Sequence, residues 1–149
     1  MATILTARFG AVEYDESKVL FFPAGILGFE DMKRFILVDI KPGLPFKWLQ
    51  SADDPGLAFL LCDPTVCVPN YWPPVTAGDL QELKLKSLSD AIVMSIVTVP
   101  ADPTMATANL QAPLIINAAS RLAKQVVTGL PSYKTRQALF QKERQTKTG

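Results

Sequence analysis

The sequence predicts a mainly β protein, a small barrel-like or otherwise closed antiparallel sheet carrying one short helix at residues 77–85. Three observations predict it. Apolar runs are short and rich in β-branched residues, as in residues 92–99 (IVMSIVTV) and 114–116 (LII). Pro, Gly, Asn and Asp punctuate them at close intervals, which favours short strands joined by tight turns. One segment carries a convincing helix start signal with an apolar face behind it. About nine strands follow from this pattern, enough to close a sheet on itself.

In chain order, residues 4–6, 10–14 and 19–22 read as strands, with Asp15-Glu16-Ser17 as the turn before the third. The stretch FFPAGILGFEDMKRF follows, where Pro23 fixes the backbone and Gly25 and Gly28 permit conformations other residues resist. Its four phenylalanines, at 21, 22, 29 and 35, form either an aromatic mini-core beneath a loop or a binding surface. Residues 35–40 are a strand ended by Lys41-Pro42-Gly43. Residues 46–50 and 57–62 pair around Ser51-Ala52-Asp53-Asp54-Pro55-Gly56, where Asp, Pro and Gly supply turn chemistry. The proline-rich VPNYWPPVTAG is an extended loop rather than sheet interior. Thr76 caps the helix, with Leu80, Leu83 and Leu85 as its buried side, and Ser87 offers a second cap before too short a run for more than a turn. Residues 118–127 read equally as a two-turn helix or as a turn and strand. From Lys134 onward no apolar periodicity sustains a strand, though Ala138-Leu139-Phe140 could dock, so 1–133 is expected to be the domain and 134–149 a basic, disordered tail.

Charge follows the same division. Residues 134–149 carry five basic groups and one acid, leaving ten basic and thirteen acidic groups on the remaining body, net −3. A nucleic-acid-binding domain would present a basic face instead. The chain contains no histidine, which excludes Ser-His-Asp triads, Cys-His dyads and His-containing metal sites. It also lacks a phosphate-binding GxxxxGK[ST] loop, a GxGxxG turn and a CxxC pair. Cys62 and Cys67 read as small buried hydrophobes in a reducing compartment. No apolar run is long enough to cross a bilayer and the first residues lack a secretory pattern, so a cytoplasmic location is expected. The residues alone thus describe a β binding module without catalysis, cofactor or metal. Two other classes compete. Direct RNA binding would use Trp48, Trp72 and the basic tail, and a small-ligand or enzymatic barrel would use Asp53, Asp54 and Asp63.

Four segments carry a resemblance. FPAGILGFEDMKRF (22–35), WLQSADDPGLAFLLCDP (48–64), SIVTVP (95–100) and TANLQAPLIIN (107–117) occur in the order found in the flagellar assembly factor FliW family, and the likeness spans about nine-tenths of the chain, to Tyr133. The resemblance implies a small β-barrel-like protein, free as a monomer, with two protein partners and no enzymatic activity. One partner is flagellin, whose aggregation-prone terminal helices need cover before export. The other is CsrA, the dimeric RNA-binding regulator that represses flagellin translation, taken up as two copies of the FliW-like chain per dimer. Antagonism of CsrA is implied to be allosteric, acting outside its RNA-binding surface. Such coupling is typically about 1–3 kcal/mol and is reciprocal. The resemblance also favours turn plus strand at 118–127. Ala24 and Asn70 stand where the family pattern often carries acidic residues, which lowers negative charge near the expected interfaces. The partner surface expected from these segments comprises Phe22, Ile26, Glu30, Asp53, Asp54 and Asn109. Asn109 has a competing role as the residue that holds its corner by bonding its own backbone.

Overall fold

The computed structural model describes residues 2–41 and 43–140. Eleven strands, one α-helix and four short 3-10 turns are found among them. The strands are β1 (Ala2–Thr6), β2 (Gly10–Tyr14), β3 (Leu20–Phe21), β4 (Arg34–Asp39), β5 (Phe46–Ser51) and β6 (Ala58–Cys62), then β7 (Ile92–Thr98), β8 (Thr107–Ala108), β9 (Leu114–Asn117), β10 (Leu122–Gln125) and β11 (Gln137–Ala138). Helix α1 spans Ala77–Glu82.

Seven strands close a barrel in the order β7-β6-β5-β4-β3-β10-β9, with β9 returning to pair β7 through Ile92↔Ile116, Val93↔Ile115 and Met94↔Leu114. Most pairings are antiparallel, the exception being a single parallel pair, Leu122↔Phe21, that joins β10 to β3. Strand alternation explains the filling: Phe35, Leu49, Leu61, Met94, Leu114 and Ile116 point into one cluster with Phe22 and Ile26. Each such fully buried side chain contributes about 1.5–3 kcal/mol.

The hairpin β1–β2 lies outside this barrel. Ile4 packs with Val19 and Ile36, and at the hairpin tip Arg8 sits 4.3 Å over the Trp48 ring while Phe9 meets the same ring edge-on at 5.7 Å. Trp48 is therefore an anchor for the hairpin, and Arg8 already occupies one of its faces. Trp72, by contrast, is exposed.

Helix α1 contributes Leu80, and the residues just after it Leu83 and Leu85, to a cluster with Ile115 of β9, Leu122 of β10 and Val126. Its N-terminus has a complete capping box, with Asp79 N–H bonded to Thr76 Oγ1 at 3.1 Å and Thr76 N–H bonded to Asp79 Oδ2 at 3.3 Å. The helix is shorter than the 77–85 span the sequence suggested. Lys84 takes φ +59°, which ends the helical path and sends Leu85 N–H back to Leu80 O at 2.8 Å. The freed carbonyl of Leu83 accepts bonds from Asn117 Nδ2 (2.8 Å) and Ser120 Oγ (3.2 Å) in the β9–β10 turn. That turn and β10 resolve the ambiguity at 118–127 in favour of turn plus strand.

The expectation that no strand follows Lys134 is corrected. Gln137↔Ala108 and Ala138↔Thr107 add β11 to the edge of β8, and Leu110 N–H bonds Lys134 O at 2.8 Å. The pairing needs no apolar periodicity because Tyr133 and Leu139 do the anchoring, the Tyr133 ring packing tilted at 4.5 Å from that of Tyr71. The rest of the expected disordered tail, 141–149, lies outside the described residues.

Candidate functional site

One end of the barrel gathers the segments that the sequence singled out. β3 ends and β4 begins there, joined by residues 22–33; β5 ends and β6 begins, joined by residues 52–57; β7 ends and β9 begins, joined by the corner that includes β8. All six expected partner residues, Phe22, Ile26, Glu30, Asp53, Asp54 and Asn109, sit on these connections or beside them.

Their individual environments differ sharply. Phe22 is fully buried against Phe35, edge-on at 5.3 Å, and Ile26 is 2% exposed. As contact residues these two are corrected: with Phe22 in the barrel interior, the same loop turns Phe21, Leu27 and Phe29 to solvent instead. Gly25, at φ +69°, makes the reversal, and a Cβ there would lie 2.5 Å from Glu30 O. The knuckle is closed by the Ile26↔Phe29 bridge, by Phe29 N–H on Ile26 O (2.6 Å) and by Leu27 N–H on Gln125 Oε1 (2.9 Å). Glu30 is exposed and accepts Gly28 N–H at 3.1 Å, which holds its carboxyl below the usual range.

Asp53 is exposed and paired with Arg34 at 2.7 Å. Asp54 is half-buried and accepts Gly56 N–H at 2.9 Å, so it shapes the turn. Beneath both acids lies Gln50, a residue sequence reasoning missed. Its Nε2 sits within 3.0–3.5 Å of the carbonyl oxygens of Ser51, Asp54, Pro55 and Leu57, and so supports the loop from inside. A glutamine at the end of an apolar strand, just before a turn, was the available signal. Asn109 Oδ1 accepts the N–H groups of Gln111 (3.1 Å) and Ala112 (3.2 Å), the corner-holding role.

Between the knuckle and the corner runs an open groove of about 450 Å³ lined by Leu27, Phe59, Ile96, Asn109, Gln125 and Arg136, with Ile26 beneath. Phe29 flanks it, edge-on to Phe59 at 5.2 Å. The groove mixes apolar side chains with Thr98, Asn109, Gln125 and Arg136, so it can receive apolar side chains and hydrogen-bond a polar edge beside them. Burial raises the thiol of Cys62 to about 11 and that of Cys67 in the same direction, which disfavours the reactive thiolate. Among the described residues no group of three His, Cys, Asp or Glu gathers as a metal site, and no helix is long and apolar enough to cross a membrane.

Known proteins share this arrangement. The chain is 35% identical to a protein solved as the crystal structure of the flagellar assembly factor FliW, with a TM-score of 0.86 over 95% of this chain and 99% of that one. It is 42% identical over 142 residues to the flagellar assembly factor FliW of Bdellovibrio bacteriovorus, covering 95% of this chain and 81% of that protein. It is 43% identical over 138 residues to the flagellar assembly factor FliW of Moorella thermoacetica, covering 92% and 87%. The model of the family described as FliW protein matches residues 3–139, so barrel, loops and the β11 extension all fall within it, and the chain belongs to the FliW family.

Proposed function

We propose that this chain is a non-enzymatic, cytoplasmic regulatory protein of flagellar assembly that binds flagellin and, when released from it, binds CsrA and relieves its repression of flagellin translation. Membership in the FliW family carries this reading. The groove beside Leu27 and Phe29 supports it further, since covering an amphipathic helix needs apolar surface on a polar rim. Acidic groups at the same end suit a basic RNA-binding partner, mainly through association rate and orientation.

The partner surface is revised accordingly. Leu27 and Phe29 take the role first given to Phe22 and Ile26, with Glu30 and Asp53 as exposed acids, while Asp54 and Asn109 hold the loops that present them. CsrA binding is allosteric in this reading, so bound RNA weakens it as much as it weakens RNA binding.

The experiment is size-exclusion chromatography and calorimetry of the chain with CsrA and with flagellin. Stable complexes with each are expected; no complex with either refutes the proposal. Asp53→Lys exchanges an exposed ion pair, worth about 0–1 kcal/mol, for two solvent-screened like charges. It should weaken CsrA binding with little change in Tm. A titration of flagellin into the preformed CsrA complex then tells whether the two partners share this end of the barrel.

A further inference from the structure

The opposite end of the barrel has an incomplete wall. β3 is two residues long and meets β4 only at Leu20↔Phe35 and Phe21↔Arg34, whereas β4 continues to Asp39. Along β4 the backbone groups alternate in direction: Lys33 O faces β3, accepting Phe22 N–H at 2.8 Å, and Arg34 O faces β5, accepting Ala52 N–H at 2.9 Å. Leu37 and Asp39 therefore direct N–H and C=O to the side where β3 has not yet begun, and among the described residues no strand pairs them there. β2 likewise has a strand partner on one side only.

Between these edges lies a groove of about 660 Å³, larger than the one at the other end. Leu20, Ile36 and Ile116 form an apolar floor, and Val12 and Ile92 its sides. The charged residues lining it are Glu13, Asp15 and Asp39 against a single Lys18, net −2, with Asp39 also paired to Lys47 at 2.5 Å. An exposed edge with unpaired donors and acceptors is a template for an added strand, the backbone supplying affinity and alternate side-chain positions supplying specificity.

We infer that this edge of β4 receives an extended segment of a partner protein, with apolar and basic residues alternating, as an added strand. Apolar positions of the segment fill the floor between Leu20 and Ile116. Basic positions meet Glu13, Asp15 and Asp39. The surface is distinct from the knuckle groove, so its occupancy leaves that end of the barrel free.

The test uses the full chain and three synthetic peptides: acetyl-Lys-Ile-Lys-Ile-Lys-Ile-amide, the same peptide N-methylated at alternate residues along one edge, and its glutamate counterpart. Fluorescence anisotropy measures affinity and amide shifts locate the contact. The lysine peptide should bind, shifting Leu37 and Asp39. The glutamate peptide should bind at least about tenfold more weakly at moderate salt, because like charges at the rim repel it. N-methylation on the docking edge should cost at least about tenfold by removing the ladder. Glu13→Lys, on an exposed residue, should weaken the lysine peptide and strengthen the glutamate one. The inference is overturned by no binding, by equal affinity of the two charge types, by indifference to N-methylation, by shifts confined to residues 27–29, or by a self-association that excludes the peptide.

Discussion

Replacing Gln50 by glutamate would turn the support of the Asp53-Asp54 loop into a source of repulsion. Gln50 is fully buried, and its Nε2 lies near four carbonyl oxygens at 3.0, 3.1, 3.2 and 3.5 Å. A side-chain amide has two hydrogens, so it serves two of these acceptors at a time. Its Oε1 has no protein partner among the described residues. Gln50→Glu places a carboxyl oxygen where the donor was, surrounded by acceptors and out of water. An uncompensated buried charge costs about 3–5 kcal/mol, a large share of a domain's ordinary 5–15 kcal/mol. The sign of the pH dependence follows from linkage. Burial among acceptors raises the folded-state pKa of the introduced carboxyl above its unfolded value of about 4.3, so between the two values the folded state holds a proton the unfolded state lacks. Stability relative to the parent then falls by about 1.4 kcal/mol per pH unit as pH rises through that window. Gln50→Leu supplies the comparison: it removes the donor to Ser51 O, at about 1–3 kcal/mol, with no added pH dependence, while Asp54 O, Pro55 O and Leu57 O keep their bonds from the N–H groups of Leu57, Ala7 and Ser51. Urea unfolding followed by tryptophan fluorescence from pH 4 to pH 8 measures all three proteins, and the chain's lack of histidine keeps the parent's own titration in that range small. Parallel pH curves for Gln50→Glu and Gln50→Leu would refute the argument, since the loop would then not be held by a buried donor.

Other changes probe the remaining supports. Gly25→Ala should cost at least about 2 kcal/mol, combining a left-handed backbone with a Cβ 2.5 Å from Glu30 O, whereas Gly28→Ala, at φ +86° with open space around it, should cost about 1 kcal/mol; thermal unfolding of the pair measures the difference. Tyr71→Phe removes the hydroxyl that donates to Leu110 O at 2.6 Å in a buried site, and should lower the free energy of unfolding by about 1–3 kcal/mol in urea. Asp79 sits below its ordinary pKa because, although burial opposes its charge, bonds from Lys124 (2.6 Å) and Thr76 more than offset it; Lys124 is raised by Asp79 and by Glu82 (2.9 Å). The stabilising effect of Asp79, about 1 kcal/mol, is present above its unfolded pKa of about 3.9 and is lost as pH falls through the lower folded value. That of Lys124 is present below about pH 10.4 and is lost as pH rises through its higher folded value. Asp79→Asn and Lys124→Met should abolish the acid and alkaline changes respectively in denaturation curves.

How much of this was legible in the sequence depends on whether the cause was local. The capping box at Thr76, the turn chemistry of Asp53 to Gly56 and the Asn109 corner were readable because each is made by residues within a few positions of one another. The strands at 92–98 and 114–117 were readable because buried β structure leaves a dense β-branched run. Phe22 and Ile26 were misread for a specific reason. An aromatic loop with two glycines does not reveal which phenylalanine faces inward until the register of β3 is known, and β3 is fixed by only two pairs to β4 and one to β10. Shifting that register by one residue would exchange Phe21 and Phe22 between solvent and core. β11 escaped for a different reason: it is an edge pair held by Tyr133 and Leu139 against Tyr71, contacts separated by more than sixty residues in the chain. The same cause hid the open edge of β4. A strand's length can be read from its own residues, but where its neighbour stops cannot. The most informative surfaces of this barrel are thus set by the shortness of β3, which ends where the buried Phe22 knuckle begins and, among the described residues, leaves no strand on the β3 side of Leu37 and Asp39.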